Sequence, residues 1–436
     1  MSFSNISQLR EELNKTHAIE VLNAFFDDGS FCETDALLCS EGSFAEAVTG
    51  YGTVVGMPVY AFCQNSDANS GSMSKAQAKK IVRLYELAKL TGAPVVGFYD
   101  SCGGRLKEKN DLLAAYGEIL NKSASISGVV PQLAVILGTC LGTSALIAAS
   151  SDFIIMSKEA ELSIDVAPEK ACADYNAKKG IANFVCDDKF SAIDKAKELV
   201  TYFPSNNLES APIDDACAPK ADAECTVCSI ADADSLCFVN EEFTDIACTA
   251  FGRINGEVVG FVGTNGDVID CKAGGKITKF VRFCDAFSIP VITVVDAKGF
   301  SSLKSAAKVT AAYAEATTAK IAVIKGEAVG SVYIALAGES AAADMRFALE
   351  GAVISPVNPK ALAFIMDEEA MNVPVAEQDK VASDFAQREF SALNAAKCGY
   401  VDDVVTADTL RAKVACALTM LSSKRLETLP KKHSTI

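Results

Sequence analysis

Two glycine-rich turns are the residues of this chain with the clearest potential for chemistry. The segments Gly138-Thr139-Cys140-Leu141-Gly142-Thr143-Ser144 and Lys325-Gly326-Glu327-Ala328-Val329-Gly330-Ser331-Val332 each lead from an apolar run into a helical pattern. Glycine lets a backbone approach a ligand closely, and the first N–H groups of a helix point at that ligand. Two such groups aimed at one oxygen form an oxyanion hole, which stabilises an enolate or a tetrahedral intermediate. A single turn of this kind is more often a packing glycine, but two copies at matched positions favour two oxyanion holes.

A second loop and one helix face offer weaker signals. In Asp100-Ser101-Cys102-Gly103-Gly104-Arg105, Gly103 and Gly104 permit positive φ, and Arg105 could hold a phosphate or a carboxylate. The simpler interpretation is an ordinary loop with a solvated arginine. Four cations at helical spacing favour a solvated face, although a coenzyme A phosphate would also suit them: Lys75, Lys79, Lys80 and Arg83.

Histidine is nearly absent, with only His17 and His433 in the chain. The sequence therefore argues against a histidine-based triad and against a histidine-rich metal site. We expect no metal ion in this protein. What remains is chemistry performed by backbone dipoles.

The two halves of the chain are versions of one another. Asp100 follows Gly52 by 48 residues, and its counterpart Asp296 follows Gly252 by 44. Such a long period predicts a duplicated domain rather than a solenoid. We expect domains at residues 1–215 and 216–436, with the stretch Ser205 to Asp245 as their connection.

Composition limits the function further. The chain has 436 residues, 50% hydrophobic residues and a net charge of -16, which argues against a nucleic-acid partner. It shows no signal-peptide pattern and no uninterrupted apolar stretch of about 18 residues, so we expect a cytoplasmic protein. Most of the sixteen cysteines are expected to be free thiols. Cys225 and Cys228 are a single close pair, whereas a four-thiolate metal site usually needs two, so we expect these two cysteines to be free thiols as well.

Hydrophobic periodicity predicts strands that alternate with helices in both halves, which implies parallel pairing and an α/β fold. The predicted elements of the second half are strand Val258–Val262, helix Lys276–Ala286, strand Val291–Val295, helix Ala306–Thr318, strand Ile321–Ile324 and helix Ser331–Ala337.

Ordered motifs along nearly the whole chain resemble one family, the carboxyltransferase subunits of biotin-dependent acyl-CoA carboxylases and the related decarboxylases. The propionyl-CoA carboxylase beta chain is the type it resembles most. The motifs include Asp27-Asp28-Gly29-Ser30-Phe31, Tyr116-Gly117-Glu118-Ile119, Ser127-Gly128-Val129-Val130-Pro131-Gln132, Pro204-Ser205-Asn206-Asn207-Leu208, Gly399-Tyr400-Val401-Asp402-Asp403 and Pro430-Lys431-Lys432-His433.

The resemblance implies two tandem crotonase-like domains, the first binding an acyl-CoA and the second binding biotin. It implies an active site between the first domain of one subunit and the second domain of its partner, within a homo- or hetero-hexamer. Biotin would arrive on a biotin carboxyl carrier protein, in a complex with a biotin carboxylase or a membrane decarboxylase subunit.

The implied reaction forms an enolate of a short acyl-CoA (acetyl-, propionyl- or methylmalonyl-CoA type) in the first oxyanion hole. The enolate exchanges a carboxyl group with carboxybiotin, whose ureido oxygen occupies the second hole and whose ring nitrogen is the base. Carried over to this chain, the catalytic residues are Gly142, Thr143, Gly330, Ser331 and Val332. The residues expected to bind acyl-CoA or biotin are Ser101, Gly103, Gly104, Arg105, Gly299 and Phe300.

The chain departs from the family pattern at both holes. Where the family has a Gly-Gly pair, this chain has Gly142-Thr143. Where the family has a Tyr-Gly-Gly-Ala-Tyr-like run, this chain has Val329-Gly330-Ser331-Val332-Tyr333. Lys298 replaces a proline before Gly299-Phe300, and the loop that follows is shorter than in the family.

Three hypotheses therefore stay open. The first is an active carboxyltransferase of a carboxylase or decarboxylase. The second is a non-catalytic or half-active subunit that assembles with a more complete paralogue. The third is a biotin-independent crotonase-type enzyme that acts on an acyl-CoA.

Overall fold

The chain divides into two compact units, Met1–Pro212 and Ile213–Ile436. The computed structural model describes residues 15–40, 43–165, 168–220, 225–339, 342–366, 374 and 377–426. His433 and the Pro430–His433 motif lie outside these ranges. Within them, no helix combines the length and the hydropathy that crossing a membrane would require.

The first unit is a mixed eight-stranded sheet covered by helices. Its sheet strands are β1 Cys32–Thr34, β2 Ala47–Val54, β3 Met57–Gln64, β4 Val95–Ser101, β5 Gln132–Leu141, β6 Phe153–Ser157, β7 Glu161–Ser163 and β8 Phe184–Cys186. Its α-helices are α1 His17–Phe25, α2 Lys75–Thr91, α3 Asp111–Ile126, α4 Thr143–Ala149, α5 Pro168–Ala171, α6 Ala173–Lys178 and α7 Lys189–Tyr202. The strand order is β1-β2-β3-β4-β5-β6-β8, and β7 pairs with β5. A short separate hairpin pairs Cys39–Ser40 with Ser43–Phe44.

The second unit repeats this design. Its sheet strands are β9 Cys237–Val239, β10 Ala247–Ile254, β11 Glu257–Thr264, β12 Val291–Ala297, β13 Lys320–Val329, β14 Met345–Leu349, β15 Val353–Ser355 and β16 Asp403–Val405. Its α-helices are α8 Thr226–Ile230, α9 Cys271–Ala286, α10 Leu303–Glu315, α11 Ser331–Leu336, α12 Pro359–Met366, α13 Gln378–Glu389, α14 Ala392–Lys397 and α15 Ala407–Leu421. The order β9-β10-β11-β12-β13-β14-β16, with β15 on β13, is that of the first unit. The α/β class and the duplication are confirmed.

Burial explains why the central strands are continuous apolar runs. From β3 to β6 and from β11 to β14 the pairing is parallel, and parallel strands are covered on both faces. Helix α2 begins where the Ser74 hydroxyl accepts the Gln77 amide, and it ends at Gly92 in the left-handed conformation (φ 67°). Local signals of this kind are readable from the sequence.

The structure corrects three expectations. The stretch Ser205 to Asp245 is not wholly a connection, because α8 and β9 lie in it and β9 pairs with β10. Helix α9 begins at Cys271, before the predicted Lys276, because the Asp270 carboxylate accepts the Ala273 amide. Cys225 and Cys228 form a disulfide, with Cα atoms 5.1 Å apart, whereas the other fourteen cysteines are free.

A carboxylate holds the equivalent hairpin turn in each unit. Asp27 accepts the amides of Val55 and Gly56, both at 2.9 Å. Asp232 accepts the amides of Asn255 and Gly256, at 3.0 and 2.8 Å. Both turn residues have positive φ in each hairpin, which is the geometry of a tight two-residue loop. The two acids therefore stabilise the same strained turn in both halves.

Candidate functional site

In the first unit, the candidate oxyanion hole is the sharp turn from β5 into α4. Gly142 lies at the turn with φ 62° and ψ -130°, a conformation that favours glycine. Its own amide donates to the Ser163 carbonyl on β7 at 2.9 Å. Gly142 therefore shapes the turn, and the available donors belong to the residues after it.

Thr143 and Ser144 supply those donors. They are the first two residues of α4, positions that have no intrahelical acceptor. Neither amide donates to another group in the described part of the chain. The Thr143 side chain is exposed and the Ser144 side chain is buried, so the β-branched Thr143 points away from the core. Two amides at the end of a buried strand can thus face one anionic oxygen.

The second unit builds the same turn between β13 and α11. Gly330 has φ 53° and ψ -112°, and its amide donates to the Ser355 carbonyl on β15 at 2.8 Å. Ser331 and Val332 follow as the first two helical residues, and neither amide has an acceptor among the described groups. The Val332 side chain is fully buried in the core, so its bulk lies away from these donors.

The loop after β4 is held by the Ser101 hydroxyl and by the backbone of Met73. The buried Ser101 hydroxyl accepts the Gly103 amide at 3.2 Å. The Gly103 carbonyl accepts the Met73 amide, and the Met73 carbonyl accepts the Arg105 amide, both at 2.8 Å. Gly103 has φ 114°, which favours glycine at this position. The predicted residues Ser101, Gly103 and Gly104 thus lie in one hydrogen-bonded loop.

Arg105 is committed to the fold rather than to solvent. Its guanidinium lies 3.2 Å from the carboxylate of Glu46, and only 13% of the arginine side chain is exposed. Glu46 is fully buried and also accepts from Asn69 and Ser74. Arg105 thus follows the loop after β4, as the sequence indicated, and the structure gives its charge a buried partner.

Tyr116 joins the loop to the helix start, and sequence analysis did not single it out as a site residue. Its hydroxyl lies 3.2 Å from the Ser144 hydroxyl, and its ring lies against Gly104. Burial raises the pKa of Tyr116, so the phenol is neutral at pH 7. Tyr116 belongs to one of the motifs that resemble the family, but its contact with Ser144 is visible only in the packing of α3 on α4.

The predicted residues Gly299 and Phe300 lie in the second unit. They form a short parallel pair with Val268–Ile269 just after β12. The Ser301 amide donates to the Ile269 carbonyl at 3.0 Å, so the loop returns directly to α10. This short link lies where the sequence shows a loop shorter than the family's.

The cationic helix face is not wholly solvated. Lys80 is 3% exposed and its ammonium donates to the Ala47 carbonyl at 2.7 Å, with Glu33 3.7 Å away. Arg83 pairs with Asp35 at 2.8 Å. Burial lowers the pKa of Lys80, an effect that Glu33 partly offsets. Lys80 is therefore a structural cation, and the prediction of a solvated face fails at this position.

Comparison with known proteins identifies the family. A family model described as carboxyl transferase domain matches residues 10–436. The methylmalonyl-CoA decarboxylase subunit alpha of Propionigenium modestum is 32% identical, over 97% of this chain and 93% of the relative. The propionyl-CoA carboxylase beta chain of Roseobacter denitrificans is 30% identical, over 97% and 94%.

A solved structure agrees with these relatives. The transcarboxylase 12S subunit, whose crystal structure describes hexamer assembly with hydrolysed methylmalonyl-coenzyme A bound, is similar with a TM-score of 0.89 and 31% identity. The similarity covers 98% of this chain and 94% of that one, which confirms the fold implied by the resemblance. The chain therefore belongs to the carboxyl transferase domain family.

Proposed function

We propose that this chain is the carboxyltransferase component that moves a carboxyl group between biotin on a separate carrier protein and a short acyl-CoA. The observation that carries this proposal is the duplicated turn, in which Gly142 and Gly330 each precede two helix amides that have no acceptor among the described residues. Transfer between two carriers needs a site for each carrier's oxygen, and each unit offers one set of donors.

The first unit is proposed to hold the acyl-CoA. When the acyl group loses its α-proton or its carboxylate, negative charge develops on the thioester oxygen. The amides of Thr143 and Ser144 would donate to that oxygen, and such fixed donors stabilise the enolate more than the ground state. The contact between Tyr116 and Ser144 holds this first helical turn in place. The chemistry uses backbone dipoles, consistent with the scarcity of histidine.

The second unit is proposed to hold biotin. A cavity of about 490 Å³ opens at Gly330. Its lining includes apolar and aromatic side chains with a few polar groups: Tyr333, Ile334, Pro356, Phe390, Asn394 and Tyr400. Such a lining fits a small bicyclic ring that has one carbonyl oxygen, which the amides of Ser331 and Val332 would bind. Bound carboxybiotin would supply the carboxyl group, and the ring nitrogen freed when that group leaves would accept the α-proton.

The relatives refine the proposed substrate and assembly. Two of them are named for methylmalonyl-CoA and propionyl-CoA, which favours a propionyl- or methylmalonyl-CoA over acetyl-CoA. The hexamer of the transcarboxylase neighbour favours a hexamer for this chain. We place it with a biotin carboxyl carrier protein and either a biotin carboxylase or a membrane decarboxylase subunit.

Carboxyl exchange tests the proposal. Purified protein is mixed with methylmalonyl-CoA and free biotin, and the acyl-CoA products are followed by mass spectrometry. We expect loss of the carboxylate that depends on biotin. Turnover that is equally fast without biotin would instead support a biotin-independent crotonase-type enzyme.

Binding separates the remaining alternative. If turnover is absent while methylmalonyl-CoA still binds by calorimetry, the chain is a non-catalytic subunit. Co-purification with a paralogue and recovery of activity in the mixture would then be the decisive result.

A further inference from the structure

Asp100 occupies an irregularity in the sheet just before the first oxyanion turn. Along β4 and β5, Tyr99 pairs with Ile136 but Ser101 pairs with Cys140. The strand β5 therefore bulges opposite Asp100, and a bulge leaves backbone groups unpaired. The Asp100 carboxylate accepts the Thr139 amide at 3.2 Å, so it replaces the missing ladder bond.

Asp296 occupies the same irregularity in the second unit. Val295 pairs with Ile324 but Ala297 pairs with Ala328. The Asp296 carboxylate accepts the Glu327 amide at 3.0 Å. The chain thus repeats the bulge, the acid and the bonded amide in both halves.

The backbone amide of each acid also donates to a side chain on the neighbouring strand. The Asp100 amide donates to the Gln64 side chain at 3.2 Å, and the Asp296 amide donates to the Thr264 hydroxyl at 2.8 Å. Gln64 and Thr264 are the last residues of β3 and β11. Different side chains therefore perform the same task at equivalent positions.

A glycine makes room for each carboxylate. A Cβ atom built on Gly138 would lie 2.0 Å from Asp100 Oδ1, and one built on Gly326 would lie 2.3 Å from Asp296 Oδ1. No side chain fits at either distance unless the acid moves. Acid and glycine therefore form one unit in each half. Neither glycine has positive φ, so glycine is needed at these positions because the carboxylate approaches the backbone closely.

We propose that Asp100 and Asp296 are positioning residues, one for each oxyanion hole; this inference rests on the proposed function. The bonded amide of Thr139 lies three residues before Gly142, and that of Glu327 lies three before Gly330. The short segments between them pair with β7 and β15, and end in the bonds from Gly142 to Ser163 and from Gly330 to Ser355. Each acid thereby fixes the position of the strand end and, with it, the position of the donor amides at the start of the next helix.

The test combines four variants of the first half with biotin-dependent carboxyl loss from methylmalonyl-CoA. Asp100→Ala removes the acceptor, and Gly138→Ala displaces it. We expect each to lower kcat by about 10- to 100-fold. This is less than the roughly 100- to 1,000-fold cost of losing an oxyanion donor, because the donor amides are displaced and not removed. Asp100→Asn keeps an acceptor oxygen, so its kcat should recover to within about 5-fold of the wild type. The double variant Asp100→Ala/Gly138→Ala should be no slower than Asp100→Ala, because the clash is gone.

Variants of the second half distinguish a positioning role from a merely structural one, because they should change the KM for biotin but not the Kd for methylmalonyl-CoA. Asp296→Ala and Gly326→Ala should raise the KM for free biotin while the Kd for methylmalonyl-CoA stays within about 2-fold. The variants of the first half should leave the KM for biotin unchanged. Gly275→Ala on α9, where the added Cβ meets open space, is the matched control and should behave as wild type.

Folding and the parent hypothesis are controlled separately. Thermal unfolding of every variant is measured. If Asp100→Ala or Asp296→Ala does not fold, then Gly138→Ala or Gly326→Ala provides the same comparison for that half. This inference alone would be overturned if the wild type turns over but the Asp100 and Gly138 variants do not slow it, or if the effects of the two substitutions add. It would also be overturned if the variants of the second half do not raise the KM for biotin selectively. A wild type without any biotin-dependent transfer would overturn the proposed function and this inference with it.

Discussion

The guanidinium of Arg105 lies 3.2 Å from the carboxylate of Glu46, a side chain with no exposed surface. Glu46→Gln keeps the size of the side chain but removes the nearer counter-ion of a mostly buried cation. Breaking such a pair destabilises by about 3 kcal/mol or more. We expect urea denaturation to show this loss, together with weaker binding of methylmalonyl-CoA, because the loop from Ser101 to Arg105 loosens.

An exposed ion pair is the control for Glu46→Gln. Lys122 and Glu86 lie 2.6 Å apart with 37% and 50% of their side chains exposed. Glu86→Gln should change the free energy of unfolding by less than about 1 kcal/mol. Equal effects of the two substitutions would show that the Glu46 pair is not held in a low-dielectric interior.

Alanine at the two turn glycines should have graded effects. Gly142 and Gly330 share positive φ, which costs a non-glycine residue about 1–3 kcal/mol. A Cβ on Gly142 meets no atom within 4 Å, whereas one on Gly330 lies 2.8 Å from the Pro356 carbonyl oxygen. Gly330→Ala should therefore lower the free energy of unfolding more than Gly142→Ala does. Chemical denaturation of both variants checks this order, and the reverse order would contradict the described turn.

The hairpin carboxylates predict a pH dependence of stability. Hydrogen bonds from the Gly56 amide and the Thr53 hydroxyl lower the pKa of Asp27 below 3.8. Burial raises the pKa of Asp232, but the bonds from Arg411, Gly256 and Asn255 outweigh it and lower the pKa overall. A depressed carboxyl pKa contributes stability that is complete above about pH 4 and is lost as the pH falls through the folded-state value.

Asp27→Asn and Asp232→Asn test that window. Each variant should be less stable than wild type at pH 7. The difference should shrink at pH 3, because below about pH 4 the carboxyls of the unfolded chain bind protons that the folded carboxylates resist. Urea denaturation at both pH values is the measurement. A stability difference that is independent of pH would show that the carboxylate charge does not stabilise these turns.

Reduction of the Cys225–Cys228 disulfide should leave the protein folded. The two cysteines are three positions apart, and a disulfide that closes so short a loop restricts the unfolded chain less than the about 3 kcal/mol of a 15-residue loop. We expect dithiothreitol to lower the free energy of unfolding by less than that amount. The Cys225→Ser/Cys228→Ser variant should be insensitive to the reductant. A larger loss in wild type, absent from this variant, would contradict the prediction.

Local features of the sequence were sufficient for much of the fold. The apolar runs that became β4, β5, β12 and β13, and the glycines after β5 and β13, are neighbours along the chain. Their order repeats in both halves, so the duplicated α/β architecture and the two strand–glycine–helix turns could be predicted. The start of α9 and the position of β9 could not, because a cap at Asp270 and a pairing with β10 decided them.

The use of each polar group depended on contacts between distant segments. Gly142 and Gly330 were expected to take part in the holes, but their amides bond to Ser163 and Ser355, so we propose the residues that follow as the donors. Arg105 and Lys80 resemble surface cations in sequence, yet Arg105 is mostly buried beside Glu46 and Lys80 is buried against the Ala47 carbonyl. The sequence by itself determined the family, the repeated elements and the place of the turns, because these depend on residues close in sequence. Only the tertiary structure decided which amides stay unpaired and which charges are neutralised, because partners many residues apart satisfy the buried groups first.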